Sequence, residues 1–133
     1  MWWSLFSRKE ALTGAPAAPR IKNYSARSGY VYQYRYQGHR PVSRGGGAGT
    51  EFVFSASADG RACRPVGIMI AGSAVAAWQE RHARDLSPTE IYALAKMALF
   101  RAFDERSNPA HMQGDVRLSE ADIEAIAAEL GFA

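Results

Sequence analysis

Cysteine occurs once in 133 residues, at Cys63, so no internal disulfide can form and nothing argues for an oxidising compartment. Long apolar runs are also missing. The longest, "VGIMIAGSAVAAW" over 66–78, is too short and too broken by glycine to span a bilayer. The opening "MWWSLFSRKE" has no basic leader, long apolar region or cleavage site, and does not read as a secretory signal. No integral membrane segment is expected, and a cytoplasmic protein is. Histidine is sparse: His39, His82 and His111 fall in different predicted elements, without metal-ligand spacing. The glycine run "GGGAGT" (45–50) lacks the lysine of a phosphate loop and precedes a strand, not a helix. It reads as a flexible hairpin loop. Glu80, His82 and Asp85 lie close in sequence, yet helical neighbours two apart do not face each other. No nucleophile and base can be paired. These absences leave no catalytic constellation, and no cofactor or metal is expected.

Acidic residues are scarce in one half only. Residues 1–64 carry ten Lys or Arg against three Asp or Glu, a balance of +7, and residues 65–133 carry six against ten, a balance of −4. Such polarity suits an anionic partner for the first half, or two halves that complement each other within one fold.

What is present suits one domain with a core of its own: 47% hydrophobic and 22% charged residues over this length. "TGAPAAP" (13–19) reads as an Ala/Pro tether. The chain divides into an exposed aromatic peptide (1–12), a linker (13–28) and a single α+β domain (29–133). The aromatic peptide holds Trp2, Trp3, Leu5 and Phe6, too few residues for a core. It can fold back on the domain, dock into a protein partner's groove or touch a membrane surface.

Residues 29–37, "GYVYQYRYQ", alternate Tyr30, Tyr32, Tyr34 and Tyr36 with Val31, Gln33 and Arg35. The period of two predicts a strand. Further strands are predicted over 50–58 and 65–71, with the Asp59–Gly60 pair reversing the chain between them. A helix over 73–84 capped by Ser73 follows. A second begins at "SPTE", with Ser87 as N-cap, Pro88 first in the helix and Glu90 closing the capping box. Residues 107–117 read as a loop, and a last helix is capped by Ser119 with Asp122. The predicted fold is a three-stranded antiparallel meander followed by three helices packed on one sheet face. Phe52, Phe54, Val66, Ile68 and Ile70 are the inward rows. The tyrosines then face the core, whereas a base-stacking platform requires them exposed.

The functional residue types that remain are arginines. Arg35 is expected on the outer sheet face, and Arg40, Arg44, Arg61 and Arg64 in the two hairpin turns. Guanidinium groups fork phosphate or carboxylate oxygens, so these five form a candidate surface for nucleic acid or another polyanion. The acids of "FDER" (103–106), at a helix C-terminus unfavourable to them, mark either a contact with the basic strands or a solvated end. The sequence therefore reads as a non-enzymatic binding module for a polyanion. The other reading is a protein–protein adaptor docking through Trp2, Trp3, Leu5 and Phe6. No oligomeric state follows from it.

Overall fold

The computed structural model describes residues 11–18, 20–44, 47–60, 62–106, 109–112 and 114–132, with residues 44, 110, 111 and 114 described by backbone alone. Five strands form one sheet in sequence order: β1 (Lys22–Ser25), β2 (Val31–Arg44), β3 (Gly47–Ala58), β4 (Arg64–Ala71) and β5 (Gly114–Leu118). The first three pairings are antiparallel and β4–β5 is parallel. A parallel neighbour needs a long crossover. Helices α1 (Gly72–His82) and α2 (Pro88–Glu105) supply it, and α3 (Glu120–Glu129) follows β5. The expected three-stranded meander is thus corrected to a five-stranded, mixed, curled sheet, within the α+β class.

Both added strands are short and weakly apolar. β1, "KNYS", has Tyr24 as its one aromatic residue, and it lies inside the stretch expected to be linker. β5, "GDVRL", lies inside the stretch expected to be loop, and forms because β4 offers it a complete ladder from Val66 to Ile70. β2 and β3 also run further than expected. Gly47 to Thr50 belong to β3, which leaves residues 45–46 between the paired ends Arg44 and Gly47.

The inward rows assemble as their alternation requires. Tyr32, Tyr34, Phe52, Phe54, Val66, Ile68 and Ile70 share one buried cluster with Trp78 of α1, Leu94, Leu99 and Phe103 of α2, and Ile123 and Ile126 of α3. Of the tyrosine stripe, Tyr32 and Tyr34 are core, and Tyr30 and Tyr36 are partly buried against it. Tyr32 stacks on Phe103 with centroids 4.1 Å apart, and Tyr24 on Phe100 at 4.3 Å. Tyr24 Oη also donates to Asp104 Oδ2 (2.7 Å), and Arg27 N donates to Asp104 Oδ1 (2.8 Å). One acid of "FDER" therefore does bind the basic strands, and it clamps β1 to the end of α2.

Helix starts follow their caps. Ser87 and Ser119 both make reciprocal capping boxes, with Glu90 and Asp122. Ser73 does not cap α1: that helix grows directly from the end of β4, with Ala71 as N-cap and no side-chain bond. Among the described residues no helix is long and apolar enough to cross a membrane.

A bulge in β2 fixes the later geometry. The register steps from Tyr36↔Phe54 to Gly38↔Val53, so Gln37 is an extra residue. The row reverses there: His39 joins the core side, 5.7 Å from the ring of Phe52, and Arg40 falls on the outward face with Arg35. Gly38 has φ +120°, and a Cβ on it would lie 2.7 Å from the Thr13 carbonyl oxygen. Glycine thus permits both the bulge and the approach of Thr13, which exchanges backbone bonds with His39 at 2.9 and 2.8 Å.

Candidate functional site

Of the five predicted arginines, Arg35, Arg40 and Arg64 have described side chains, and Arg64 lies on the other sheet face from Arg35 and Arg40. Arg40 lies within β2, not in a hairpin turn, and its Nε donates to Glu51 Oε1 at 2.9 Å. Glu51 is 3% exposed and Arg40 16%, so this guanidinium serves a buried carboxylate. Arg35 is exposed on β2, opposite Ser55. Arg64 opens β4 opposite Ala56, on the side of the sheet that carries the core, and is exposed. Arg44 is described by its backbone pairing with Gly47, while Arg61, Trp2, Trp3, Leu5 and Phe6 lie outside the described residues.

A different cationic group is assembled where α2 crosses the β1–β2 edge. On α2 the residues Tyr92, Lys96 and Phe100 recur at spacing four and share one helix face. Lys96 is half-buried there, its Nζ 6.0 Å from the ring centroid of Tyr34 and 5.9 Å from that of Phe100, within cation–π range. Lys22, the first residue of β1, is near enough for its charge to act on Lys96. Burial, and then the neighbouring Lys22 charge, hold the Lys96 ammonium below the usual lysine range.

Beside this pair is a cleft of about 180 Å³ lined by Arg20, Lys22, Arg35, Tyr34, Tyr36 and Tyr92, with Pro16 and Ala18 as its lip. Its described lining includes three basic residues and no acidic one. Tyr36 and Tyr92 stand edge to face at 4.8 Å and separate this cleft from a second, of about 390 Å³, lined also by His39, Thr50, Phe52 and Ile91. The second is chiefly apolar and of a size that suits one small ring system. Tyr36 Oη and His39 Nδ1 are hydrogen-bonded at 3.0 Å. Burial, and then Tyr92, raise the Tyr36 hydroxyl to about 12, so it stays protonated. The stretch read as a tether forms one edge of both clefts, since Thr13 is fastened to His39 and the chain continues past Pro16 to Arg20.

Two cationic side chains beside an aromatic wall have the chemistry to receive an anion. A phosphate or carboxylate between Lys22 and Lys96 removes their repulsion, and the neighbouring rings offer faces to a base or other planar group. The sequence carried one signal for this site: a lysine placed between two aromatics at helical spacing four. The contribution of Lys22 depends on β1, which the sequence did not announce.

Acid–base chemistry has less support. His82 pairs with Glu124 of α3 (Nε2 to Oε2, 2.6 Å) rather than with Glu80 or Asp85, and stacks on Trp78 at 4.3 Å. Arg81 reaches Glu120 and Glu124 as well, which makes this group an α1–α3 fastening. Cys63 is exposed. Among the described residues, no three His, Cys, Asp or Glu side chains are grouped to hold a metal ion. No protein-family model, curated protein or solved structure matches this chain.

Proposed function

We propose that the protein is a non-enzymatic module that binds a polyanion, single-stranded nucleic acid in the first place, through the cleft of Arg20, Lys22 and Arg35 and the neighbouring Lys96. The observation that carries the reading is the cleft itself, whose described lining joins Arg20, Lys22 and Arg35 to the rings of Tyr34, Tyr36 and Tyr92 and includes no acidic residue. Tyr36 and Tyr92 favour a nucleic acid over a featureless polyanion, because partly exposed rings beside phosphate-binding cations accept stacked bases. Single strands fit better than duplex, since base faces are open in them. Arg40 is not among the ligand contacts of this reading, being bound to Glu51. The cytoplasm is the proposed setting, and its reducing conditions suit the exposed, unpaired Cys63.

Fluorescence anisotropy of a labelled single-stranded oligonucleotide across a salt series tests this. Affinity is expected to fall linearly on logarithmic axes. The double substitution Lys22→Gln with Lys96→Gln should flatten the slope by about 1.4, two phosphate contacts at about 0.7 each. Absence of salt-sensitive binding, even at low ionic strength, removes the reading.

A further inference from the structure

The larger cleft, of about 390 Å³, has neither arginine nor lysine in its described lining. Its walls are aromatic: the rings of Phe52 and Tyr92 stand 6.3 Å apart, and His39 lies 5.7 Å from Phe52. Polar groups are set among these rings where a plain core would be apolar. Thr50 continues the inward β3 row of Phe54 and Phe52, and Thr89 joins it from the first turn of α2. His39 is fixed in place by Tyr36 Oη, 3.0 Å from Nδ1, and by Gly14. That glycine has φ +79°, and a Cβ on it would fall 2.7 Å from the imidazole Cε1, so only glycine lets the chain pass so near. His39 Nε2 is 3.5 Å from the Thr13 hydroxyl, a length at which a hydrogen bond is weak, and it can take a closer partner. A hydrocarbon in this cleft would desolvate two hydroxyls and an imidazole without replacing their hydrogen bonds. A planar ring edged with carbonyl and amino groups can stack and pair at once.

We infer that this cleft receives one unstacked nucleobase, an inference that rests on the single-strand reading of the cationic cleft. Only the rings of Tyr36 and Tyr92 separate the two clefts. The phosphates can therefore stay against Arg20, Lys22 and Arg35 while a base turns past this wall into the second cleft. Turning a base out costs less in a single strand, where it is already unpaired. The volume lies near the lower end of ligand pockets, which suits one base and not a stacked run. Phe52 and Tyr92 then meet the faces of the base, and His39, Thr50 and Thr89 its edge.

Two oligonucleotides of equal charge test the inference: a short thymidine strand, and the same phosphodiester backbone without bases. The thymidine strand should bind about tenfold more tightly, the scale of one stacked base. Nuclear Overhauser contacts are expected from a thymine methyl group to Ile91 and Phe52, which line this cleft and not the cationic one. Thr50→Val keeps the shape of the side chain and should weaken the thymidine strand about threefold, the loss of one hydrogen bond, without affecting the abasic strand. Equal binding of the two strands, or contacts confined to Tyr36 and Tyr92, overturns the inference and leaves the phosphate reading standing. Failure of both strands to bind at low ionic strength removes that reading, and this inference with it.

Discussion

Arg40 Nε donates to Glu51 Oε1 at 2.9 Å, and the two residues are register partners across β2 and β3. Between strands they exchange a guanidinium and a carboxylate that is 3% exposed, so each depends on the other. Removing one partner of a buried pair leaves an uncompensated charge. Arg40→Ala should therefore destabilise by about 3 kcal/mol, at the low end of such losses because Arg40 keeps some solvent contact. Urea denaturation measures it. A silent substitution would mean that Glu51 has another cation to turn to.

Phe54 and Leu99 are fully buried at the sheet–helix contact. Phe54→Ala should cost about 3–5 kcal/mol and Leu99→Ala about 2–5 kcal/mol, the loss of transfer energy plus the cavity left behind. Two unchanged melting curves would show that the core lies elsewhere.

Much of this core was legible beforehand, because its information is local. Tyr30 to Tyr36 alternate with polar residues, and Ser87–Glu90 and Ser119–Asp122 announce helix starts within four residues. β1 and β5 were not legible, since neither "KNYS" nor "GDVRL" has the apolar content to be a strand alone. Each is a strand because a longer neighbour offers backbone partners, Val31–Tyr34 across a short hairpin for one and the distant Val66–Ile70 for the other. The bulge at Gln37 was equally hidden. It moves Arg40 to the outward face of β2, opposite Glu51, and this turns a predicted ligand contact into a structural ion pair. The proposed Lys22–Lys96 site needs both the missed strand and the helix, so arginine count alone could not point to it.

Tyr24 and Tyr36 both titrate at about 12, raised by burial first and then by Asp104 and Tyr92 respectively. For a raised acid, the stabilisation is complete below the unfolded value of about 10 and is lost as pH climbs through the folded one. Stability should therefore drop between about pH 10 and 12. Tyr24→Phe should be less stable at neutral pH, because the bond to Asp104 is gone, and should show a shallower alkaline loss. An unchanged alkaline profile for Tyr24→Phe would contradict the assignment.

Lys96 has the opposite sign. Its folded value lies below the unfolded one, so the native state binds fewer protons in the window between them and stability rises with pH there. At neutral pH the charged lysine is a net cost. Lys96→Met should then stabilise the free protein, by about 0.5–2 kcal/mol, the scale of common stabilising substitutions, while weakening oligonucleotide binding. A variant that loses stability would show Lys96 to be a structural residue.

The side-chain titration of Lys96, followed by NMR on its ε-methylene group with and without a single-stranded oligonucleotide, tests the central claim most directly. An anion between Lys22 and Lys96 must favour both charges, so the Lys96 titration should move upward on binding, toward or past the ordinary lysine value of about 10.4. The Lys22 signals should shift with it, and the change should vanish as salt displaces the ligand. A Lys96 titration that stays where it is in the free protein, under conditions where the oligonucleotide is bound, would place the anion elsewhere and contradict the account.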